Sequence, residues 1–259
     1  GGQVALLGRH LDRLAASAAA LGLRLPERDD LAGAVERALE ANQSDAARVR
    51  LTVTPGAVSM LRGGDAGHAE PTVLVVVSEA LRIDDEAFER GAMVTVSGPQ
   101  ANPFDEMAGH KTLNYWPRLR ALRAAAATGA GEVLWLSITQ HVCGGAVSNV
   151  FVVQDGALVT PIARGEEAQG ALPSPVLPGV TRGAVLRWAE AAGVAVTRKM
   201  VGIADVLDAD EVMLTNSGWG VLPVTRVEGK VIGGGKAGEV TRRVREAVRE
   251  AWGEAKPQA

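Results

Sequence analysis

From residue 132 onward the chain carries a series of short apolar runs of strand length, broken by turn residues and a single helix-length stretch. That rhythm restricts this half to a sheet with helices packed on it. The runs are EVLWLS (132–137), the hairpin VSNVFVVQDGALVTP turning at Asp155-Gly156, VAVTRK (194–199), EVMLTN (211–216) and VLPVTRV (221–227). Between them a proline-rich loop, ALPSPVLPG (171–179), leads into a helix from Val180 to about Ala192. A charged amphipathic helix over 236–252 closes the pattern.

The first half has another rhythm. Leu11, Leu14, Ala18 and Leu21 recur at helical spacing and Gly22 stops them. A second helix is expected with Asp29 or Asp30 as its cap and Leu31, Val35 and Leu39 as its stripe. Three strand candidates follow: RVRLTVT (48–54), TVLVVVS (72–78) and AMVTVS (92–97). The first alternates, with Val49, Leu51 and Val53 on one face; the second is apolar enough to suit a buried strand. The polar stretch GPQANPFDEMAG reads as a linker. A length of 259 residues then divides into a smaller α+β domain, 1–98, and a larger domain, 99–259.

Composition excludes several classes. With 47% hydrophobic and 22% charged residues the chain is globular, and no apolar run reaches membrane-spanning length. A net charge of −3 offers no basic field for nucleic acid. One cysteine, Cys143, fits a reducing compartment, so a cytoplasmic location is expected. With four scattered histidines (10, 68, 110 and 141), no metal site is expected. Gly1-Gly2 is not a natural initiator, and the chain is expected to lack its native N-terminus.

Lys111 sits in GHKTLNYWPRL (109–119), among Tyr115, Trp116 and other residues of little polar character. Pro117 opens a helix directly afterwards. A lysine in that setting is either one that snorkels to water or a desolvated amine kept as a nucleophile, and the local stretch favours the first.

Four stretches taken together reverse that preference: RHLDRL (9–14), HKTLNY (110–115), SNVFVVQDGALVTP (148–161) with LPGVTR (177–182), and ADEVMLTNSGWGVLPV (209–224). Their order and spacing resemble the class IV aminotransferases, the pyridoxal-phosphate enzymes of fold type IV, a two-domain α/β fold. That family includes branched-chain and D-amino acid aminotransferases and aminodeoxychorismate lyase. The resemblance implies pyridoxal 5'-phosphate as cofactor, amino acid and 2-oxo acid substrates, a homodimer, and Lys111 at the interdomain cleft as the lysine that joins the cofactor. It implies phosphate contacts from Arg13, from Val180 and Thr181 at a helix start, and from Ser217 and Gly218 in a small-residue loop.

One position departs from the family pattern. Five residues before the asparagine of SNVF, here Asn149, the family carries a glutamate bonded to the pyridine nitrogen; this chain has Gly144. Without that acid the ring is a weaker electron sink. Three readings remain: the nitrogen meets water, His141 or Ser148; the reaction needs less carbanion stabilisation; or the chain is a degenerate homologue. Glu132 is not promoted to the role. Amino-group transfer is the first expectation, the lyase reaction the alternative, and Gly144→Glu is expected to speed amino transfer.

Overall fold

A computed structural model describes residues 4–43, 46–56, 70–81 and 83–253. Gly1, Gly2 and His68 lie outside them. The chain forms two compact units, Gly1–Leu81 and Arg82–Ala259.

In the first unit, α1 spans Leu7–Ala20 and α2 spans Arg28–Asn42. Gly22, at φ +67, ends α1 as its sequence position implies, and the Leu23 amide donates to Ala18 O at 2.8 Å. For α2 the start differs from expectation. Glu27 occupies the cap position without a side-chain bond, while Asp29 and Asp30 fall inside the first turn. There their charge favours the helix dipole instead of capping a backbone amide.

Strands β1 (Ala47–Thr54) and β2 (Thr72–Glu79) pair antiparallel, with Val49 opposite Val77, Leu51 opposite Val75 and Val53 opposite Val73. The alternation in β1 thus becomes a row of apolar pairs. The expectation of a buried strand at 72–78 fails. These two strands form a sheet by themselves, no residue of β2 is fully buried, and Leu74 is 53% exposed.

The second unit opens with a short helix, α3 (Asp85–Arg90), capped by the Asp84 side chain, which accepts from the Ala87 amide at 2.7 Å. Then follow β3 (Ala92–Ala101), α4 (Trp116–Ala127), β4 (Glu132–Ser137), β5 (Val142–Gly145), β6 (Asn149–Gln154) and β7 (Ala157–Pro161). After the long loop come α5 (Val180–Ala191), β8 (Val196–Lys199), α6 (Ile203–Leu207), β9 (Glu211–Asn216), β10 (Gly220–Val227), β11 (Lys230–Val231) and α7 (Glu239–Ala251).

These strands build one nine-stranded sheet in the order β5-β4-β3-β10-β9-β6-β7-β8, with β11 on β10. β3 runs parallel to both of its neighbours, β4 and β10. The division between the units therefore falls earlier than the expected 98/99. A cut at 98 would pass through β3, whose backbone is bonded into the larger sheet. The first residues of the expected linker, 98–101, are the end of that strand.

Burial on both faces explains why β6 and β9 read as continuous apolar runs. Val150, Val152, Leu214 and Leu134 pack on one side; Phe151, Met213 and Leu158 pack on the other, against Val185 of α5 and Val244 of α7. The β6–β7 turn is the expected Asp155-Gly156, with φ of +50 and +74, the left-handed pair a tight hairpin needs.

Candidate active site

The N-terminus of α5 and the β9–β10 turn meet at one end of two central strands. Gly179 caps α5 in an extended conformation, so the amides of Val180, Thr181 and Arg182 begin the helix without an intrahelical acceptor. Thr181 Oγ1 lies 3.1 Å from Ser217 Oγ. Two of the residues that the sequence resemblance marks for a phosphate, 36 positions apart, are thus hydrogen-bonded at a 12-residue helix N-terminus.

Two asparagines fix this arrangement. Asn149 is buried and its Nδ2 donates to Leu177 O at 2.8 Å, holding the loop that feeds α5. Its Oδ1 occupies the space a side chain at Gly179 would need. Asn216 Oδ1 accepts from the amides of Gly218 and Trp219 at 2.8 and 3.0 Å, and its Nδ2 donates to Val147 O at 3.3 Å. The Gly218 amide is thereby engaged inside the turn and is not a free donor. Beside the turn, Thr215 Oγ1 is a buried hydroxyl with no hydrogen-bond partner in the structure. The Thr181 and Ser217 hydroxyls and the first amides of α5 are donors of the kind an anion site uses.

Arg182, in the first turn of α5, is not part of that donor set. The residue is 2% exposed and its guanidinium is fully engaged: Nη1 and Nη2 donate to Glu166 at 2.8 and 2.7 Å, Nη2 to Pro161 O at 3.0 Å, and Nε to Thr160 Oγ1 at 3.3 Å. Burial alone would raise the Glu166 pKa. The bonds from Arg182 and the Ala163 amide, with the charges of Arg182 and Arg198, outweigh it and hold that carboxyl below its ordinary value.

Lys111 lies just ahead of α4, whose first turn contains Pro117 as the sequence implies. It is exposed, which corrects the expectation of a desolvated amine. Its Nζ donates to Tyr115 Oη at 2.5 Å and stands 4.0 Å from the centre of that ring. Upstream, Arg164 Nε and Nη2 donate to Ala108 O at 2.9 and 2.6 Å and pin the segment to the loop after β7. His110, next to Lys111, has its pKa lowered by burial and then by the Arg164 charge. Among the described residues no hydrogen bond joins Lys111 to Thr181 or Ser217. Tyr115 stands in the sequence motif but carries no separate signal there as a partner; its place four residues after the lysine is the available hint.

Arg13 belongs to α1 in the first unit. One turn before it, His10 is pushed down to about 4, first by burial and then by the Arg13 charge, so it is neutral at pH 7.

At the edge strand of the sheet, β5, the pairing with β4 shifts register. Trp135 pairs with Gly144 and Leu136 with Val142, so Cys143 is the extra residue of a bulge. Gly144 has φ +128, and a Cβ built there would lie 2.5 Å from Ser148 O. The glycine is required by the backbone. Glu132, buried under the following turn, accepts from the amides of Val133, Ala146 and Val147 at 2.7, 3.0 and 3.0 Å and from Ser148 Oγ at 2.9 Å. Both carboxylate oxygens of Glu132 and the Ser148 hydroxyl are thus engaged with each other and the turn. His141 is likewise tied, with Nδ1 3.0 Å from Thr139 Oγ1. Burial pushes the Cys143 thiol up to about 11, which leaves it protonated and unreactive at neutral pH.

Residues 1–227 match the family described as amino-transferase class IV. The chain belongs to the class IV aminotransferases. A putative branched-chain-amino-acid aminotransferase of Methanocaldococcus jannaschii is 28% identical over 262 residues, covering 97% of this chain and 85% of that protein. The branched-chain-amino-acid aminotransferase of Escherichia coli is 28% identical over 224 residues, covering 85% of this chain and 69% of its own.

Among solved structures, a T.th. branched-chain amino acid aminotransferase complexed with N-(5'-phosphopyridoxyl)-L-glutamate matches with TM-score 0.82 at 27% identity, over 97% of this chain and 80% of that one. A putative 4-amino-4-deoxychorismate lyase from Legionella pneumophila has TM-score 0.83 at 20% identity, over 95% of this chain and 86% of that one, and shares the fold. The class IV fold expected from the sequence is therefore the fold of this chain. Among the described residues no helix is long and apolar enough to cross a membrane, and no group of side chains could hold a metal ion.

Proposed function

We propose that this class IV aminotransferase binds pyridoxal phosphate and moves an amino group between an amino acid and a 2-oxo acid. The observation that carries the reading is the Thr181–Ser217 contact of 3.1 Å at the start of α5, an anion site built from the two family phosphate motifs. Bound there, pyridoxal phosphate supplies the electrophilic carbon and the electron-accepting ring that the reaction needs.

The chain's own residues do the rest. Thr181 and Ser217 hydroxyls and the first α5 amides hold the phosphate, with the helix dipole adding to the attraction. Asn149 and Asn216 keep those donors in register. Lys111 would supply the amine that holds the cofactor until a substrate amine displaces it, and the freed amine would then take and return the proton at the substrate Cα. Tyr115 Oη, bonded to Lys111 Nζ, orients that amine and steadies its proton. Amino transfer is preferred to the lyase reaction because branched-chain aminotransferases resemble the chain at 28% identity over most of its length, whereas the lyase likeness extends to fold alone.

Borohydride reduction after addition of pyridoxal phosphate should place one cofactor per chain on Lys111 in a peptide map. Lys111→Ala should abolish that label and lower amino transfer by at least about a thousandfold, as expected for removal of a nucleophile that is also the proton carrier. Label scattered over several lysines and unchanged in the variant would refute the assignment. Cofactor bound on Lys111 with no transfer to any 2-oxo acid, but release of an aromatic amine from aminodeoxychorismate, would move the chain to the lyase branch.

The chain is also proposed to self-associate as a homodimer. Around Lys111, Phe104, Leu113 and Trp116 are 69, 70 and 62% exposed, a density of bare apolar surface that a partner copy would cover. Sedimentation equilibrium should return twice the chain mass at micromolar concentration, and a single-chain mass there would reject the dimer.

A further inference from the structure

The loop between β7 and α5 is laced into one body across residues 162–176. The Arg164 amide donates to Val176 O at 2.9 Å, Ser174 Oγ donates to Ile162 O at 2.7 Å, and the Val176 amide donates to Ser174 Oγ at 3.1 Å. Glu167 closes the loop's base, accepting from the amides of Gly165 and Ser174. The body continues through Leu177, whose carbonyl Asn149 holds, into Gly179 and the start of α5. It also meets the chain just ahead of Lys111. Arg164 Nε and Nη2 both donate to Ala108 O, at 2.9 and 2.6 Å. Gly109 is buried against the same side chain: a Cβ there would stand 2.7 Å from Arg164 Nε and 2.6 Å from Ser174 O. Two donors of a rigid fork on one oxygen restrict its direction as well as its distance.

We infer that Arg164 is a positioning residue for Lys111: it fixes the lysine's segment to the loop that delivers the anion site. The inference rests on the cofactor reading above. Lys111 is exposed, and the Tyr115 hydroxyl it bonds lies four residues along the same segment. That contact orients the amine within its own segment and leaves the segment's distance from α5 to other bonds. Arg164 makes such a bond, since the loop it belongs to runs directly into the α5 N-terminus. A molecule held by its phosphate at Thr181 and Ser217 must meet the Lys111 amine at bonding distance. A misplacement of about 1 Å at one anchor costs on the order of a hundredfold in rate. The hydrogen bonds of the Arg164 guanidinium go to the Ala108 backbone, so it acts through Lys111 and not on the reacting atoms.

The test compares two ligands on the unmodified protein and on Arg164→Met, which keeps an apolar stem and removes the donors. Pyridoxamine phosphate has the phosphate and the ring but no aldehyde, so its affinity reads the anion site without Lys111. Pyridoxal phosphate trapped with borohydride at timed intervals reads the rate of joining to Lys111 by peptide mapping. In Arg164→Met that rate should fall at least about tenfold, while the affinity for pyridoxamine phosphate changes less than about threefold. Equal loss of both would make Arg164 a general support of the loop, and no loss of either would show the fork to be idle; each overturns the inference. If Arg164→Met fails to fold, hydrogen exchange of the unmodified protein decides. Fixing the cofactor on Lys111 should slow exchange in peptides covering 108–115 and 162–176 together, and slowing confined to 108–115 overturns the tie. If the unmodified protein binds neither ligand, the proposed function falls and this inference with it. Normal binding of both with an unaltered Arg164→Met defeats the Arg164 assignment alone.

Discussion

Gly144→Glu should destabilise the larger unit by about 3 kcal/mol or more, and it should not deliver a family-like carboxylate to the ring. The sequence alone suggests the reverse, since there the glycine reads as a simple loss of an acid. The backbone overturns it. A φ of +128 is strained for any L side chain, and the first carbon of that side chain would meet Ser148 O at 2.5 Å. That oxygen is backbone, so relief requires the turn at 145–148 to move. The turn is held by Glu132 from beneath and by Arg118 from the side. Gly144→Ala should cost nearly as much, since it carries the same Cβ and the same φ. Denaturant titration of both variants checks this. A Gly144→Glu protein as stable as the parent, with faster amino transfer, would show that the bulge gives way.

Glu166→Ala should cost about 3 kcal/mol and lower the melting temperature by roughly 10 °C. The Arg182 side chain is 3% exposed, while that of Glu166 is 25% exposed. Deleting the acid therefore strands a charge that water reaches poorly, leaving only Pro161 O and Thr160 Oγ1 as its partners. The low end of the range for buried pairs applies, because Glu166 itself is partly solvated. The same pair sets a pH dependence. The folded-state pKa of Glu166 is depressed below its ordinary 4.5, so its contribution is fully present above that value and fades as pH falls through the folded one. Stability measured from pH 6 to 3 should drop less steeply in Glu166→Ala than in the parent. Equal slopes would mean the pair does not contribute. Because Arg182 sits in the first turn of α5, loosening it should also loosen the anion site beside Thr181.

Much of the fold is legible in the sequence because burial writes itself into composition. The runs at 132–137, 149–154 and 211–216 are apolar since both faces of the sheet are covered, and Asp155-Gly156 marks its turn through the left-handed φ both residues adopt. What stays hidden is partnership. TVLVVVS looks like a core strand, yet among the described residues only β1 pairs with it, a fact set by topology rather than by its own residues. The expected unit boundary is misplaced because β3 has the polarity of a linker at its end, while its backbone belongs to a sheet closed by β10, far downstream.

The candidate site divides along the same line. Thr181 and Ser217 are findable from motif order, and the structure brings them into contact. Tyr115 does not stand out in the sequence, since an aromatic at a helix start ordinarily means packing. Gly144 draws notice for the chemistry it lacks; that its backbone demands glycine is visible only in three dimensions.

The sheet order has a consequence for how the molecule comes into being. β5-β4-β3 and β6-β7-β8 are two half-sheets, and the β9–β10 hairpin is the wedge that joins them, β10 to β3 and β9 to β6. During synthesis both halves emerge first and wait with bare edges until residue 227 has left the ribosome, the state in which strands seek wrong partners. The tip of that same hairpin is the Asn216–Trp219 turn, which carries Ser217. The last long strands to arrive thus complete the sheet and the anion site in one event. A nascent chain that can hold an anion there has, by that fact, joined its two half-sheets.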